Sequence, residues 1–191
     1  MPMALVLRSS ILNDASPDHL DQQLQKARAG QSSAMAMLIR AHQKSVYSLA
    51  LRMLGTRDLA EDLAQDVFMQ MSEHLHRIES NQHLTFWLRK VTSHKAIDRL
   101  RHRGRVEFTP LQDEAQPSDP VEHRDPLLQK RIGALLQSLA PAARAVVLLR
   151  FQEDLDPHDI ARTLEMPINT VKSHLKRSLD ILRDSLEAES L

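Results

Sequence analysis

The chain has 191 residues, which is enough for one domain or two small ones. It carries 25 Lys and Arg against 25 Asp and Glu, and this zero net charge taken alone argues against a nucleic-acid partner, because phosphate binding needs clustered cations. It has no cysteine, which excludes disulfides, thiolate metal sites and a cysteine nucleophile, and its 4 glycines disfavour an all-β fold and a glycine-rich phosphate loop.

Four helices are predicted in the first half of the chain. Ser16 and Pro17 are typical of a helix start, Gly30 and Gly55 of helix ends, and Thr56 of a cap. Apolar residues recur at three- and four-residue steps between these signals, which is the period of an amphipathic helix. The predicted helices span about 17–29, 32–54, 57–78 and 84–103, with a loop at 79–83.

The second half of the chain begins with a segment that lacks the helical pattern of the first half. Residues 104–125 hold three prolines and no hydrophobic period, which indicates a flexible linker. Helices follow at about 126–138, 141–152, 157–164 and 168–187. We therefore expect an all-α fold of two small helical domains: a leader with a short helix at 1–29, a first domain at 30–104, a linker at 105–125 and a second domain at 126–191.

No run of about 18 apolar residues occurs, so no transmembrane helix is predicted. The mildly apolar stretch Met3–Leu12 is interrupted by Arg8 and is not followed by a cleavage-like site, which disfavours a signal peptide. The absence of cysteine fits a reducing compartment. We expect a cytoplasmic protein.

The net charge of zero hides strong banding along the chain. Residues 55–80 carry 2 basic and 6 acidic groups, and residues 106–125 carry 1 and 6. Between them, residues 81–105 carry 7 basic groups and 1 acidic group. One strongly basic helix therefore lies between two acidic segments, and it is a candidate for binding nucleic acid.

The clearest motif is a helix-turn-helix at 156–177. Asp156 can cap its first helix, with Pro157 at the first helical position. Apolar residues on one side of each helix are expected to face the core: Ile160, Ala161, Leu164, Ile168, Val171, Leu175, Leu179 and Leu182. Short polar residues and cations on the outer side suit contact with base edges and phosphates in a major groove. These are Asn169, Thr170, Lys172, Ser173, His174, Lys176 and Arg177.

The basic helix starts with Phe86 and the single Trp87, and six cations follow Arg89 within it or just beyond its end. Aromatic rings beside cations can stack exposed bases and hold the backbone of a single strand. Trp87 also suits a place in the core, and it can serve both purposes. The helix before it presents a polar face of Asp58, Glu61, Asp62, Gln65, Met69 and Glu73, and a methionine among acids suggests a protein interface.

Together these segments resemble the extracytoplasmic-function (ECF) group of bacterial RNA polymerase sigma factors. Residues 59–68 (LAEDLAQDVF) resemble the helix that binds core polymerase, and residues 86–101 resemble the helix that recognises and melts the −10 element. Residues 139–150 (LAPAARAVVLLR) and the helix-turn-helix resemble the −35-binding domain. The order and spacing of all three, over residues 30–188, are specific.

The resemblance implies promoter-specific initiation, with core RNA polymerase and promoter DNA as partners and an anti-sigma factor that restrains the protein. It implies no enzyme activity, cofactor or metal, and no membrane contact except through an anti-sigma partner. The −35 residues would be Asn169, Thr170, Lys172, Ser173, Lys176 and Arg177. The −10 residues would be Asn81, Trp87, Arg89, Lys95, Arg99, Arg101 and Arg103. The polymerase-binding residues would be Asp58, Glu61, Asp62, Gln65, Asp66 and Met69.

The chain departs from the family pattern at two places, and two alternative functions remain open. The family often has Gly where Glu165 stands in the turn, and Asn where this chain has Ser93 and His94. A LuxR-type regulator also fits the helix-turn-helix, although the first half lacks the strand–helix alternation of a receiver domain. A metal enzyme would need a site such as His74, His76 and His83, whose spacing matches no metal motif.

Overall fold

The computed structural model describes residues 17–103 and 126–188, with side chains for residues 18–102 and 131–185. All regular structure in these ranges is helical, which confirms the all-α prediction. The predicted leader before residue 17 and the predicted linker lie outside the described residues. The helices are α1 Pro17–Arg28, α2 Ser32–Leu54, α3 Arg57–His74, α4 Asn81–Arg103, α5 Pro126–Ser138, α6 Pro141–Phe151, α7 Pro157–Leu164 and α8 Ile168–Ala188.

The first four helices pack around α2, which contacts α1, α3 and α4. Buried residues recur along α2 at three- and four-residue steps, from Leu38 through Val46 to Met53, because this period keeps them on one face of the helix. Gly55 ends α2 in the left-handed region at φ +83°, and its N–H donates to the carbonyl of Leu51 at 2.8 Å. The predicted stop at this glycine is confirmed.

The boundaries around α3 and α4 differ from those predicted. Thr56 is the cap residue of α3, but its side chain makes no capping hydrogen bond. The helix ends at His74 in a short 3-10 turn, Leu75–Arg77, instead of reaching residue 78. The predicted loop at 79–83 is wrong in its second half, because the hydroxyl of Ser80 accepts from the N–H of His83 at 3.1 Å and starts α4 at Asn81.

The second group of helices comprises α5 to α8. In it, α7 and α8 form the predicted helix-turn-helix, and both pack on α6. Asp156 caps α7 by accepting from the N–H groups of His158 and Asp159 at 2.8 and 2.9 Å. Ile160, Leu164 and Val171 are buried as predicted.

One expected core residue of α8 lies outside. Leu179 is 39% exposed, whereas its neighbour Ser178 is buried. The 8-residue α7 covers only the first turns of the 21-residue α8, so the later apolar positions of α8 have fewer neighbours to pack against.

The two groups of helices pack against each other. Their buried apolar side chains form one continuous cluster, with α4 against α6 and α7, and α2 against α5 and α6. The buried guanidinium of Arg144 donates to the carbonyls of Met53 and Leu139, and Gln137 Nε2 donates to the carbonyl of Arg52 at 3.2 Å. The bonds to Arg52 and Met53 satisfy carbonyls at the end of α2 that the helix itself leaves without partners.

Candidate nucleic-acid and polymerase interfaces

The outer side of α8 is open to solvent. Asn169, Lys172, Ser173, Lys176 and Arg177 are exposed, and Thr170 and His174 are partly exposed. Val171 anchors the opposite side in the core. The structure therefore brings all six residues predicted to contact the −35 element onto one accessible helix face, as the size and chemistry of a DNA major groove require.

The start of α7 is fixed by a charged cap. The pKa of Asp156 is lowered below its ordinary value, mainly because its carboxylate accepts from the N–H of Asp159; the N–H of His158 adds to this effect. The anionic form of Asp156 is therefore favoured at the helix start. This cap stabilises the first turn of α7, the first helix of the motif.

Glu165, in the turn between α7 and α8, has a left-handed backbone conformation, with φ +52°. Its carboxylate lies 2.7 Å from Lys90 Nζ of α4. The hydrogen bond from Lys90 lowers the pKa of Glu165, and the charges of Lys90 and His94 lower it further. The turn that departs from the family pattern is thus tied to the basic helix.

Asn81 is the first residue of α4 and is half-buried. Its Oδ1 atom lies 3.0 Å from Nε2 of His42 on α2, and its backbone N–H donates to the carboxylate of Asp21 on α1. Burial lowers the pKa of His42; the hydrogen bond with Asn81 opposes this shift, and the charge of Arg89 adds to it. The amide oxygen of Asn81 is therefore engaged inside the protein.

Trp87 is half-buried and packs against the apolar cluster, with its ring centroid 5.8 Å from that of His74. Leu88 beside it is buried, and Ile97 further along α4 is also buried. The core role proposed for Trp87 is consistent with this packing, and its partial exposure leaves one part of the indole accessible.

The cations of α4 fall into two classes. Arg89 pairs with Glu153 of the second group at 2.8 Å, and Arg99 pairs with Asp66 of α3. Lys95 is half-exposed, and Arg101 is exposed with Asp98 4.0 Å away. The side chain of Arg103 lies outside those described. Two of the predicted −10 residues are therefore engaged within the protein, which the sequence pattern did not reveal.

The polar face of α3 is accessible. Asp58, Glu61, Asp62 and Gln65 are exposed, and Met69 is 59% exposed. Asp66 is the exception among the predicted polymerase-binding residues, because it is half-buried against Arg99. Of the four exposed residues, Glu61 pairs with Arg57 at 2.8 Å at the solvent-exposed start of the helix, and the face keeps its acidic character.

The histidines considered as metal ligands serve local structure. Nδ1 of His74 contacts the carbonyl of Gln70 at 3.0 Å, Nδ1 of His76 contacts that of Glu73 at 3.0 Å, and Nδ1 of His83 accepts from the N–H of Glu79 at 3.3 Å. Within the two described ranges, no group of three metal-ligating side chains converges. In the same ranges, no helix is long and apolar enough to cross a bilayer.

Sequence reasoning missed an apolar surface on the second group. A groove of about 180 Å³ lies between α5, α6 and α8, and Phe151 at its rim is 62% exposed. Ile132 and Ile181 are also exposed. Residues 145–149 are all apolar and all buried, so this part of α6 has no polar side that would mark a surface in the sequence. Exposed apolar patches of this kind are typical of interaction surfaces.

Comparison with known proteins agrees with this arrangement. The family model "Sigma-70 region 2" matches residues 38–106, and "Sigma-70, region 4" matches residues 129–182. The ECF RNA polymerase sigma factor SigE of Mycolicibacterium smegmatis is 34% identical over 161 residues, which are 80% of this chain. The chain spans 62% of the length of that relative, which is less than two thirds.

RNA polymerase sigma-E factor of Streptomyces coelicolor is 30% identical over 155 residues, which cover 80% of this chain and 86% of that protein. The solved structure of CnrH in complex with the cytosolic domain of CnrY has a TM-score of 0.65 at 19% identity, and it covers 88% of this chain and 98% of its own; this likeness shows a shared fold. The resemblance predicted from the sequence is confirmed: the chain belongs to the ECF group of RNA polymerase sigma factors and directs promoter-specific transcription initiation.

Proposed function

We propose that this sigma factor reads the −35 element with α8 and the −10 element with α4, and binds core RNA polymerase with the acidic face of α3. The observation that supports this proposal best is the accessible face of α8. It places an amide, two hydroxyls and three cations on one side of a helix whose other side is anchored in the core. Residues 169, 170 and 173 would meet base edges, and residues 172, 176 and 177 would meet phosphates.

At the −10 element, the proposed contacts come from Asn81, Trp87, Arg89, Lys95, Arg99, Arg101 and Arg103. The partly exposed indole of Trp87 suits stacking on an unpaired base, and the cations suit the strand backbone. Asn81 would act in this proposal through its position at the start of α4, because its amide oxygen is engaged with His42.

For core polymerase, the proposed docking residues are Asp58, Glu61, Asp62, Gln65, Asp66 and Met69. An exposed methionine among carboxylates combines an apolar contact with charge complementarity toward a basic partner surface. In this proposal the polymerase performs the chemistry and the sigma factor supplies binding alone, without a cofactor or metal.

We also propose that the protein acts in the cytoplasm and that an anti-sigma factor restrains it. The solved structure of the sigma factor RpoE from Bartonella quintana is described as a complex with the anti-sigma factor NepR, and it has a TM-score of 0.62 to this chain at 20% identity. Any membrane contact would come through such a partner.

The test is transcription with purified core polymerase on a fragmented genomic library, followed by sequencing of the RNA start sites. We expect the start sites to share two sequence elements upstream, at the −35 and −10 positions. Start sites without a shared element, or the same start sites from core polymerase alone, would overturn the proposal.

A further inference from the structure

The second group of helices, which contains the helix-turn-helix, packs directly on the basic helix α4. The carboxylate of Glu153, in the segment between α6 and α7, pairs with Arg89 at 2.8 Å and accepts from the hydroxyl of Ser45 on α2 at 3.2 Å. The side chain of Glu153 is only 6% exposed. A carboxylate so deeply buried is stable only when it is paired and hydrogen-bonded, as it is here.

The turn of the motif makes the second contact. Glu165 pairs with Lys90 at 2.7 Å, and Nε2 of His94 lies 3.1 Å from the carbonyl oxygen of Thr163 and 4.0 Å from a carboxylate oxygen of Glu165. Residues 90 and 94 are four positions apart, so they lie on the same side of α4. The end of α7 and the turn after it therefore cover about one turn of the basic helix.

A third contact extends this stripe toward the start of α4. The guanidinium carbon of Arg162 lies 5.3 Å from the centroid of the Phe86 ring, a cation–π distance. Phe86, Lys90 and His94 follow each other at four-residue steps, with Arg89 beside them. We call these four residues the α4 stripe; all of them contact the second group of helices.

The conformation of Glu165 supports a specific role for its side chain. A left-handed backbone conformation is costly for any residue with a Cβ atom, and Gly would adopt it freely. The carboxylate that Glu165 brings to Lys90 is a contact that Gly in the same position would lack.

Some polar groups at and near this contact lack hydrogen-bond partners. The hydroxyls of Thr92, Ser93 and Thr163 are buried and have no hydrogen-bond partner among the described residues. Thr163 lies in the last turn of α7, where its carbonyl contacts His94, and Ser93 is the neighbour of His94 in α4. Unsatisfied buried hydroxyls weaken a packed state relative to one in which water reaches them.

We propose that these contacts form an autoinhibitory latch: in the free chain, Glu153 and Glu165 hold the helix-turn-helix against α4 and withhold Arg89 and Lys90 from DNA. The inference rests on the proposed role of α4 at the −10 element. While the latch is closed, the outer face of α8 and the side chain of Arg101 stay accessible, so the masked part of α4 is the α4 stripe. Separation of the two groups exposes that surface.

The test measures domain separation and DNA binding in the free chain. Because the natural chain has no cysteine, dyes can be placed on Gln22→Cys and Asp184→Cys, two exposed positions in α1 and α8. The latch variant is Glu153→Gln with Glu165→Gln. The control variant, Glu79→Gln with Asp180→Asn, removes the same charge from two exposed carboxylates outside the contact. Circular dichroism confirms that both variants are folded.

We expect energy transfer between the dyes to fall in the latch variant alone. We also expect that variant to bind a random-sequence single-stranded 15-mer at least about fivefold more tightly than the control does, which is the lower range of couplings between linked sites. Equal energy transfer in latch and control variants would overturn the proposal. Lower energy transfer without tighter DNA binding would also overturn it, because α4 would then not be masked.

These outcomes are separable from failure of the proposed function. Both measurements use the free chain without polymerase, whereas the proposed function depends on promoter-dependent initiation with core polymerase. A chain that latches but does not initiate would refute the proposed function and leave the interdomain contact standing. A chain that initiates but shows no latch would refute the latch and leave the proposed function standing.

Discussion

Nε2 of His42 lies 3.0 Å from Oδ1 of Asn81 and so joins the middle of α2 to the first residue of α4. His42 is 8% exposed, and burial lowers the pKa of its imidazole below the ordinary 6.5. The folded chain therefore favours the neutral imidazole at the point where the basic helix begins.

This relationship predicts a pH-dependent stability. As the pH falls from about 7.5 to about 5.5, the unfolded chain binds a proton at residue 42 before the folded chain does, so the free energy of unfolding decreases. We expect His42→Gln to lose less stability over this range than the natural chain, measured by urea unfolding at both pH values. His102→Gln, at an exposed position of α4, is the control. An unchanged pH dependence in His42→Gln would contradict the assignment.

The outer face of α8 predicts a salt-dependent contact with DNA. Lys176→Ala with Arg177→Ala should weaken binding of the polymerase complex to a promoter fragment and reduce the slope of log K against log salt by about 2, since each cation accounts for about 1. Fluorescence anisotropy over a salt series measures both effects. Arg183→Ala with Asp180→Ala, which removes an exposed pair later in α8, should leave the slope unchanged. An unchanged slope in the first variant would exclude this face as the groove surface.

The acidic face of α3 predicts the contact with polymerase. Asp62→Lys places a cation where we propose a basic partner surface, and it should weaken competition for core polymerase by about tenfold. Displacement of a fluorescently labelled natural chain from core polymerase measures the effect. Asp180→Lys makes the same change on α8 and should compete normally. Full competition by Asp62→Lys would reject the proposed docking face.

The cap of α7 predicts that the anionic side chain of Asp156 stabilises the fold at neutral pH. The lowered pKa of Asp156 means that its stabilisation is present above the ordinary pKa of 3.8 and is lost as the pH falls through the lower folded value. At pH 7, Asp156→Ala should lower the melting temperature by a few degrees, whereas Asp156→Ser, which can still cap, should retain most of it. Thermal unfolding by circular dichroism compares them. Equal melting temperatures for the two variants would show that the cap contributes nothing.

The two glycines Gly55 and Gly133 predict opposite effects of alanine. At Gly55 the φ of +83° is unfavourable for alanine, and the added Cβ would lie 3.0 Å from Cδ of Gln137, so Gly55→Ala should lower the free energy of unfolding by about 1–2 kcal/mol. Gly133 is helical with open space around it, so Gly133→Ala should raise this free energy by about 0.4–1 kcal/mol. Urea unfolding measures both, and a loss at Gly133 or a gain at Gly55 would contradict the geometry.

The sequence predicted helices well where local chemistry defines their ends. Gly55 and Asp156 determine boundaries through their own backbone and side-chain preferences, and these signals are readable without a fold. The start of α4 was missed because Ser80 was read as part of a loop, although serine is among the strongest capping residues.

Long-range contacts could not be predicted in the same way. Arg89 and Glu153 are 64 residues apart, and nothing in the local pattern selects this carboxylate from the others in the chain. The same holds for Lys90 and Glu165, which are 75 residues apart. The exposure of Leu179 likewise depends on the length of α7, a tertiary property that helical periodicity cannot express.

The ion pair between Asp66 and Arg99 has a consequence for genetics. Asp66 belongs to the proposed polymerase-binding surface and Arg99 to the proposed DNA-binding surface, so one ion pair joins the two. A substitution at either residue removes the partner of the other and will show a mixed phenotype. Asp62 and Arg101, which do not share such a pair, are therefore the better alleles for separating a polymerase defect from a promoter-opening defect.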